Sequence, residues 1–221
     1  MISLAEFLTP IEISLRVASI SSAAVFLLGI CAAWLMNGNV FIGKSVLETA
    51  FMLPLVLPPS VIGFILLVAL GRKGWLGAWM EAWFQQSLLF TWWSAVIASV
   101  VVAFPLVYQT LKVGFASIDR EIVEAARSQG AGEWQILRWI VLPLSVRALI
   151  SAWILGFARG LGEFGATMMV AGNIPGRTQT VPTAIYSAVD SGNMTLAWAW
   201  SAALVLLSFF MLWITGRRKV R

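Results

Sequence analysis

The sequence predicts an all-α, polytopic membrane protein with five transmembrane helices. Three observations carry that expectation. Of 221 residues, 60% are hydrophobic and only 11% are charged, whereas a soluble domain carries about a quarter charged residues. Mean hydropathy is +0.88. The apolar residues also gather in runs of about 20, the length that crosses a bilayer core as a helix. So little charge cannot cover a water-facing surface.

The first run, residues 13–36, stops at Asn37-Gly38-Asn39. It is longer than a signal-peptide core and follows Glu6 and Glu12 rather than a basic segment, so an uncleaved span is expected. Residues 46–70 form the second span, closed by Gly71-Arg72-Lys73-Gly74. Trp75, Trp79 and Trp83 then recur every four residues, which predicts a short interfacial helix or aromatic anchor. The third span covers residues 89–111, the fourth 142–169 and the fifth 196–215, with Trp198, Trp200 and Trp213 at the ends of the fifth. Between the last two lies a polar loop, 173–193, with a short helix expected over 182–189. The whole chain, 1–221, reads as one transmembrane domain without internal repeats.

Prolines interrupt two spans. Pro54, Pro58 and Pro59 fall in the second and Pro105 in the third, and each removes a backbone hydrogen bond. Freed carbonyls at membrane depth need protein or water around them. The region therefore reads either as a packing kink or as a hinge and pathway wall, with Pro54, Pro58, Pro59 and Gly63 as candidate hinge residues.

Charge fixes an expected orientation. Lys44, Lys112, Arg120, Arg127, Arg138 and the tail Arg217, Arg218, Lys219 and Arg221 fall on one side, against Arg72, Lys73 and Arg177 on the other. The heavier positive side is cytoplasmic by the positive-inside rule. The N-terminus is then outside and the C-terminus inside. This scatter near span ends explains the net charge of +5 without nucleic acid. Histidine is absent and Cys31 is the single cysteine, so no His or Cys metal site, disulfide framework or bound cofactor is expected. Cys31 is expected to pack as a small hydrophobe. No GxxxxGK[ST] loop occurs, so the chain is not expected to hydrolyse ATP.

The most polar stretch lies between spans three and four, at 117–135. Ser117 or Asp119 can cap a helix start, and Gly130 offers a left-handed stop. Ile118, Ile122, Ala125 and Ala126 fall near one face. This is either a solvated loop helix or a helix that docks in a cleft of a cytoplasmic partner.

Here a resemblance becomes specific. Glu124-Ala125-Ala126, then Gly130, then Ile140-Val141-Leu142-Pro143 resembles the EAA loop of ABC importer permeases. That resemblance implies the type I permease fold, with Glu124, Ala125, Ala126, Gly130, Leu142 and Pro143 coupling the chain to a separate ATPase subunit. Phe157 to Thr167, the run Asn173-Ile174-Pro175-Gly176-Arg177 and Leu53-Pro54-Leu55-Val56-Leu57-Pro58-Pro59 resemble oxyanion permeases, nearest to the molybdate type. Tungstate and sulfate permeases share related patterns and stay open as alternatives. The resemblance implies two ATP-binding cassette subunits that use ATP and Mg, an extracytoplasmic molybdate-binding protein and a bacterial inner membrane location. The chain lacks the regulatory domain of some relatives, so inhibition by cytoplasmic oxyanion is not expected. Five helices enclose a polar path poorly, so a homodimer is expected. An ion-coupled secondary carrier would need no docking helix, and a membrane enzyme would need more catalytic groups than this chain offers.

Arg159 and Glu163 are charges inside the fourth span, four residues apart on one expected helical face. Arg159 falls roughly 24 Å beyond Pro143 at 1.5 Å per residue. Two readings stand: with Thr167 they line a translocation path, or they form a structural ion pair.

Overall fold

The computed structural model describes residues 4–38, 41–74, 76–78 and 87–217. Trp75, Trp79 and Trp83, and the tail residues Arg218, Lys219 and Arg221, lie outside the described residues. The longest helix, α1 (Leu4–Met36), has 33 residues and is about 50 Å long. It starts nine residues before the predicted span. Hydropathy put the boundary after Glu12, but a helix can run on past the apolar core where it finds packing partners. Here Phe7 stacks on Trp200, and its carbonyl accepts a hydrogen bond from Trp200 Nε1 at 3.0 Å.

The second span is not one helix. α2 (Lys44–Val56) and α3 (Pro59–Leu70) meet at 113°. A residue before proline is pushed into extended backbone, and Leu57 and Pro58 each precede one. Both are extended, with ψ of 141° and 139°. Pro54, by contrast, lies inside α2, whose hydrogen bonds continue to Leu57. The expected kink is therefore a sharp break at Leu57-Pro58. The pair still crosses the molecule, as its contacts with α4 (Trp92–Ala116) show. Glu48 meets Lys112, Phe51 meets Phe104 and Tyr108, and Ile62 shares a cluster with Ala95 and Val96. As residue numbers rise in α2 and α3 they fall along α4.

α4 is central and packs against α1, α2, α3 and, further along the chain, the helices Val146–Leu161 and Gly165–Ala171. It runs five residues past the predicted end because Lys112, which closes the apolar run, is neutralised by Glu48 Oε1 at 2.8 Å. Small residues of α1, among them Ala18, Ser22 and Ala33, are fully buried. In lipid, such residues allow the close van der Waals packing that drives helix association.

After α4 come the short helix α5 (Arg120–Ser128) and α6 (Glu133–Leu144), whose middle, Leu137–Val141, is a π turn. α6 turns through 82° into α7 (Val146–Leu161). The fourth span is thus corrected as well. It enters through an elbow at Ser145, one residue beyond the Leu142–Leu144 turn that holds Pro143, and stops at Leu161. A separate helix α8 (Gly165–Ala171) follows. α9 (Val181–Asp190) matches the short helix expected over 182–189, with Val181 N donating to Ser14 Oγ of α1 at 2.7 Å. The last helix, α10 (Met194–Arg217), packs on α9.

Among the described residues three helices are long and apolar enough to cross a membrane alone, and counting each bent pair as one span gives up to five. α1 and α10 begin at the end that carries α9. They finish at the end that carries α5, where Met36 and Phe115 join Ile136 in one buried cluster. Cys31 is exposed on α1 rather than packed.

Candidate functional site

Two regions stand apart from ordinary packing: the loop helix at one end and the paired breaks inside the molecule. α5 starts at Asp119, whose Oδ1 accepts from Glu121 N at 2.9 Å. It stops at Gly130, held at φ 86°, while Ala131 N reaches back to Ala126 O at 3.1 Å. Arg120 Nε bonds Glu124 at 2.6 Å. Arg127 grips both oxygens of Glu133 at 2.7 and 3.0 Å. That fork holds the Glu133 carboxyl below its ordinary value and raises Arg127.

The expected single apolar face of α5 is divided. Ile118, Val123 and Ala126 pack inward with Ala131 on the core. Ile122 is 46% exposed and Ala125 lies outward beside it with Glu124. No α5 residue is buried. The sequence reading missed Trp134, 68% exposed just past Gly130; a tryptophan in a polar loop was the available signal. Beneath α5 is a cavity of about 570 Å³, with Trp34, Phe115 and Val141 below and Arg120, Arg127 and Glu133 at its rim.

The second region joins Pro58-Pro59 of the second span to 162–165 of the fourth. A Cβ placed on Gly165 would stand 2.8 Å from Pro59 Cβ, and one on Gly63 would stand 2.7 Å from Met169 Cβ and 3.1 Å from Ala166 Cα. The two breaks and the helices beside them therefore pack with no room for a side chain at either glycine. Arg159 Nη1 and Glu163 Oε2 are 2.6 Å apart, with side-chain exposures of 33% and 2%. They do not share a helix, which corrects the sequence expectation: α7 ends at Leu161, and Glu163 sits in the break. Its other oxygen, Oε1, accepts from Ala166 N at 2.9 Å, so Glu163 also starts α8. Glu163 precedes the N-cap residue Phe164, and its side chain satisfies one of the N–H groups that lack a partner within α8. Thr167 is 1% exposed; it is buried in α8 and presents nothing to an open path in a single chain. Pro54 stands apart from this junction within α2.

Broken spans packed against each other, with an exposed polar helix at one end, are the architecture of a polytopic membrane subunit. Residues 25–217 match the family described as "Binding-protein-dependent transport system inner membrane component". The chain belongs to that family. It is a multi-pass inner membrane subunit of an ABC importer, and ATP hydrolysis lies in a separate subunit. It is 54% identical over 218 residues to "Putative molybdenum transport system permease protein YvgM" of Bacillus subtilis (strain 168), covering 99% of this chain and 96% of that one. It is 45% identical to the molybdenum transport system permease protein ModB of Haemophilus influenzae, covering 83% and 80%. Identity to the sulfate transport system permease protein CysW of Synechocystis is 32%, covering 91% and 72%. A chain of a crystallised bacterial ABC transporter involved in alginate import superposes with TM-score 0.76 at 15% identity, covering 99% and 82%. A chain of the MetNI methionine ABC transporter does so with TM-score 0.70 at 17%, covering 98% and 97%. At those identities the likeness is one of fold.

Proposed function

We propose that this chain is the permease subunit of an ATP-driven importer of molybdate, acting as a homodimer with two ATPase subunits and an extracytoplasmic molybdate-binding protein. The supporting observation is the ordering of relatives. Those named for molybdenum range from 36% to 54% identity, whereas those named for sulfate fall between 29% and 32%. ATP and Mg belong to the partner. The α5 end faces the cytoplasm, because Lys44, Lys112, Arg120, Arg127, Arg138 and Arg147 gather there.

In this reading α5 enters a cleft of the ATPase. Glu124, Ala125 and Ile122 form the outward patch, Ala126 roots the helix, and Gly130 turns the chain back. Leu142 and Pro143 pass its displacement through the elbow into α7. Pro58, Pro59 and Gly63 form the hinge region, with Pro54 a helical residue beside it. Arg159 supplies the anion contact at depth.

The test is nucleotide-dependent uptake of radiolabelled molybdate in vesicles holding the chain, its ATPase and its binding protein. Unlabelled sulfate and tungstate compete in parallel. Uptake suppressed by molybdate but not by sulfate is the expected result. Sulfate competing as well as molybdate would replace the substrate and leave the permease role standing.

A further inference from the structure

Glu163 has a division of labour that a plain ion pair lacks. One oxygen starts α8 and the other holds Arg159. The carboxylate is bonded to α8, which is anchored at both ends. Its far end is tied to α4 and the turn before it: Val170 O accepts from Phe90 N of that turn at 2.9 Å and from Ser94 Oγ of α4 at 3.2 Å. Its near end presses on Pro59 through Gly165. Arg159, in contrast, sits on α7 with a third of its side chain open. A pair serving only to join helices would bury both ends, since an exposed ion pair adds little stability. This pair buries the acid and leaves the base open.

We propose that Glu163 is a positioning residue for Arg159, presenting a partly neutralised guanidinium to an oxyanion passing the junction of the two breaks. This rests on the reading of the chain as an oxyanion permease. A guanidinium has five N–H donors, and Glu163 accepts through one terminal nitrogen, so donors remain for a tetrahedral dianion. The carboxylate lowers the net positive field without occupying those donors. An unpaired arginine in a low-dielectric setting would retain a dianion; the fixed carboxylate lets it leave.

Two variants test this by steady-state molybdate uptake, with the binding protein held constant. Glu163→Gln keeps an oxygen for Ala166 N but removes the charge. It is expected to keep folded yield and ATPase association, while KM and maximal rate both fall about fivefold or more, the signature of a substrate held too tightly. Arg159→Gln with Glu163→Gln removes both charges, so yield should hold and the rate should fall without any drop in KM. Unchanged kinetics in Glu163→Gln, or wild-type uptake in the double variant, would overturn the proposal. Should Glu163→Gln fold poorly, the double variant decides alone: wild-type yield with about tenfold slower uptake supports the proposal, and restored uptake ends it. If the wild-type chain carries sulfate instead of molybdate, the substrate reading fails and the same comparison is run with sulfate.

Discussion

Gly130 is held at φ 86° with nothing within 4 Å of where a Cβ would stand. Its demand is therefore conformational, not steric. A left-handed residue costs roughly 1–2 kcal/mol for most side chains, and asparagine tolerates it best. Gly130→Val is expected to insert normally yet lose ATPase co-purification and uptake, and Gly130→Asn to retain most of both. Equal behaviour of the two variants would show that the turn does not position α5. This requirement was visible in the sequence, because a glycine after a polar helix marks a left-handed stop. Glu163 was less legible. Hydropathy carries the fourth run unbroken to Met169, so the sequence places Glu163 inside a helix beside Arg159. Only the contact between Gly165 and Pro59, residues 106 apart, reveals the break it caps. Cys31 was misread for a related reason: composition shows that a residue lies in a span, but not which way it points.

At the scale of elements, the sequence placed the spans and misjudged their continuity. The Pro58-Pro59 pair announced lost hydrogen bonds. Its 113° angle depends on where α3 finds a partner, and that partner is α8. Glycines test this packing selectively. In Gly63→Ala the new Cβ would meet Met169 Cβ and the Ala166 backbone, atoms that cannot swing aside. Overpacking of that kind costs about 1–3 kcal/mol, so a lower thermal transition of the purified protein is expected. Gly162→Ala meets only Ala158 O at 3.7 Å and should be neutral. Equal tolerance of both would remove the case for a tight α3–α8 junction. The α5–α6 connection makes a separate prediction. Because Arg127 holds the Glu133 carboxyl below its ordinary 4.5, the pair's contribution is present above that value. It is lost as pH falls through the lowered one. Amide exchange over residues 129–133, corrected for intrinsic rates, should stay flat from about pH 5 to 8 and show lost protection only in stronger acid. Loss of protection near neutrality would show that the pair does not order this turn. Both side chains are about half exposed, so the effect should shrink in salt.

For the whole molecule, the decisive question is which end faces which compartment. α10 leaves Trp198, Leu206 and Phe209 more than 60% exposed, as a helix does when lipid or a second copy covers it. No such apolar face marks one end as inner, so charge has to decide. The six basic residues Lys44, Lys112, Arg120, Arg127, Arg138 and Arg147 lie in α2, α4, α5, α6 and α7 at the α5 end. Arg16, over Trp92 at the start of α4, and Arg72, Lys73 and Arg177 lie toward the other end. Under the positive-inside rule that imbalance predicts a cytoplasmic α5 end. Single cysteines in a Cys31→Ala background read this directly. Ser128, exposed at the end of α5, is the probe for one side. Thr178, in the polar 173–193 loop, is 1% exposed, with its hydroxyl accepting from Ile174 N; a cysteine there would be shielded whatever the topology. Arg177 beside it is exposed and serves instead. A membrane-impermeant maleimide applied to intact cells should label Arg177→Cys and spare Ser128→Cys until the membrane is opened. The reverse pattern would invert the molecule and place α5 out of reach of any cytoplasmic ATPase, while labelling of both in intact cells would break the odd number of crossings.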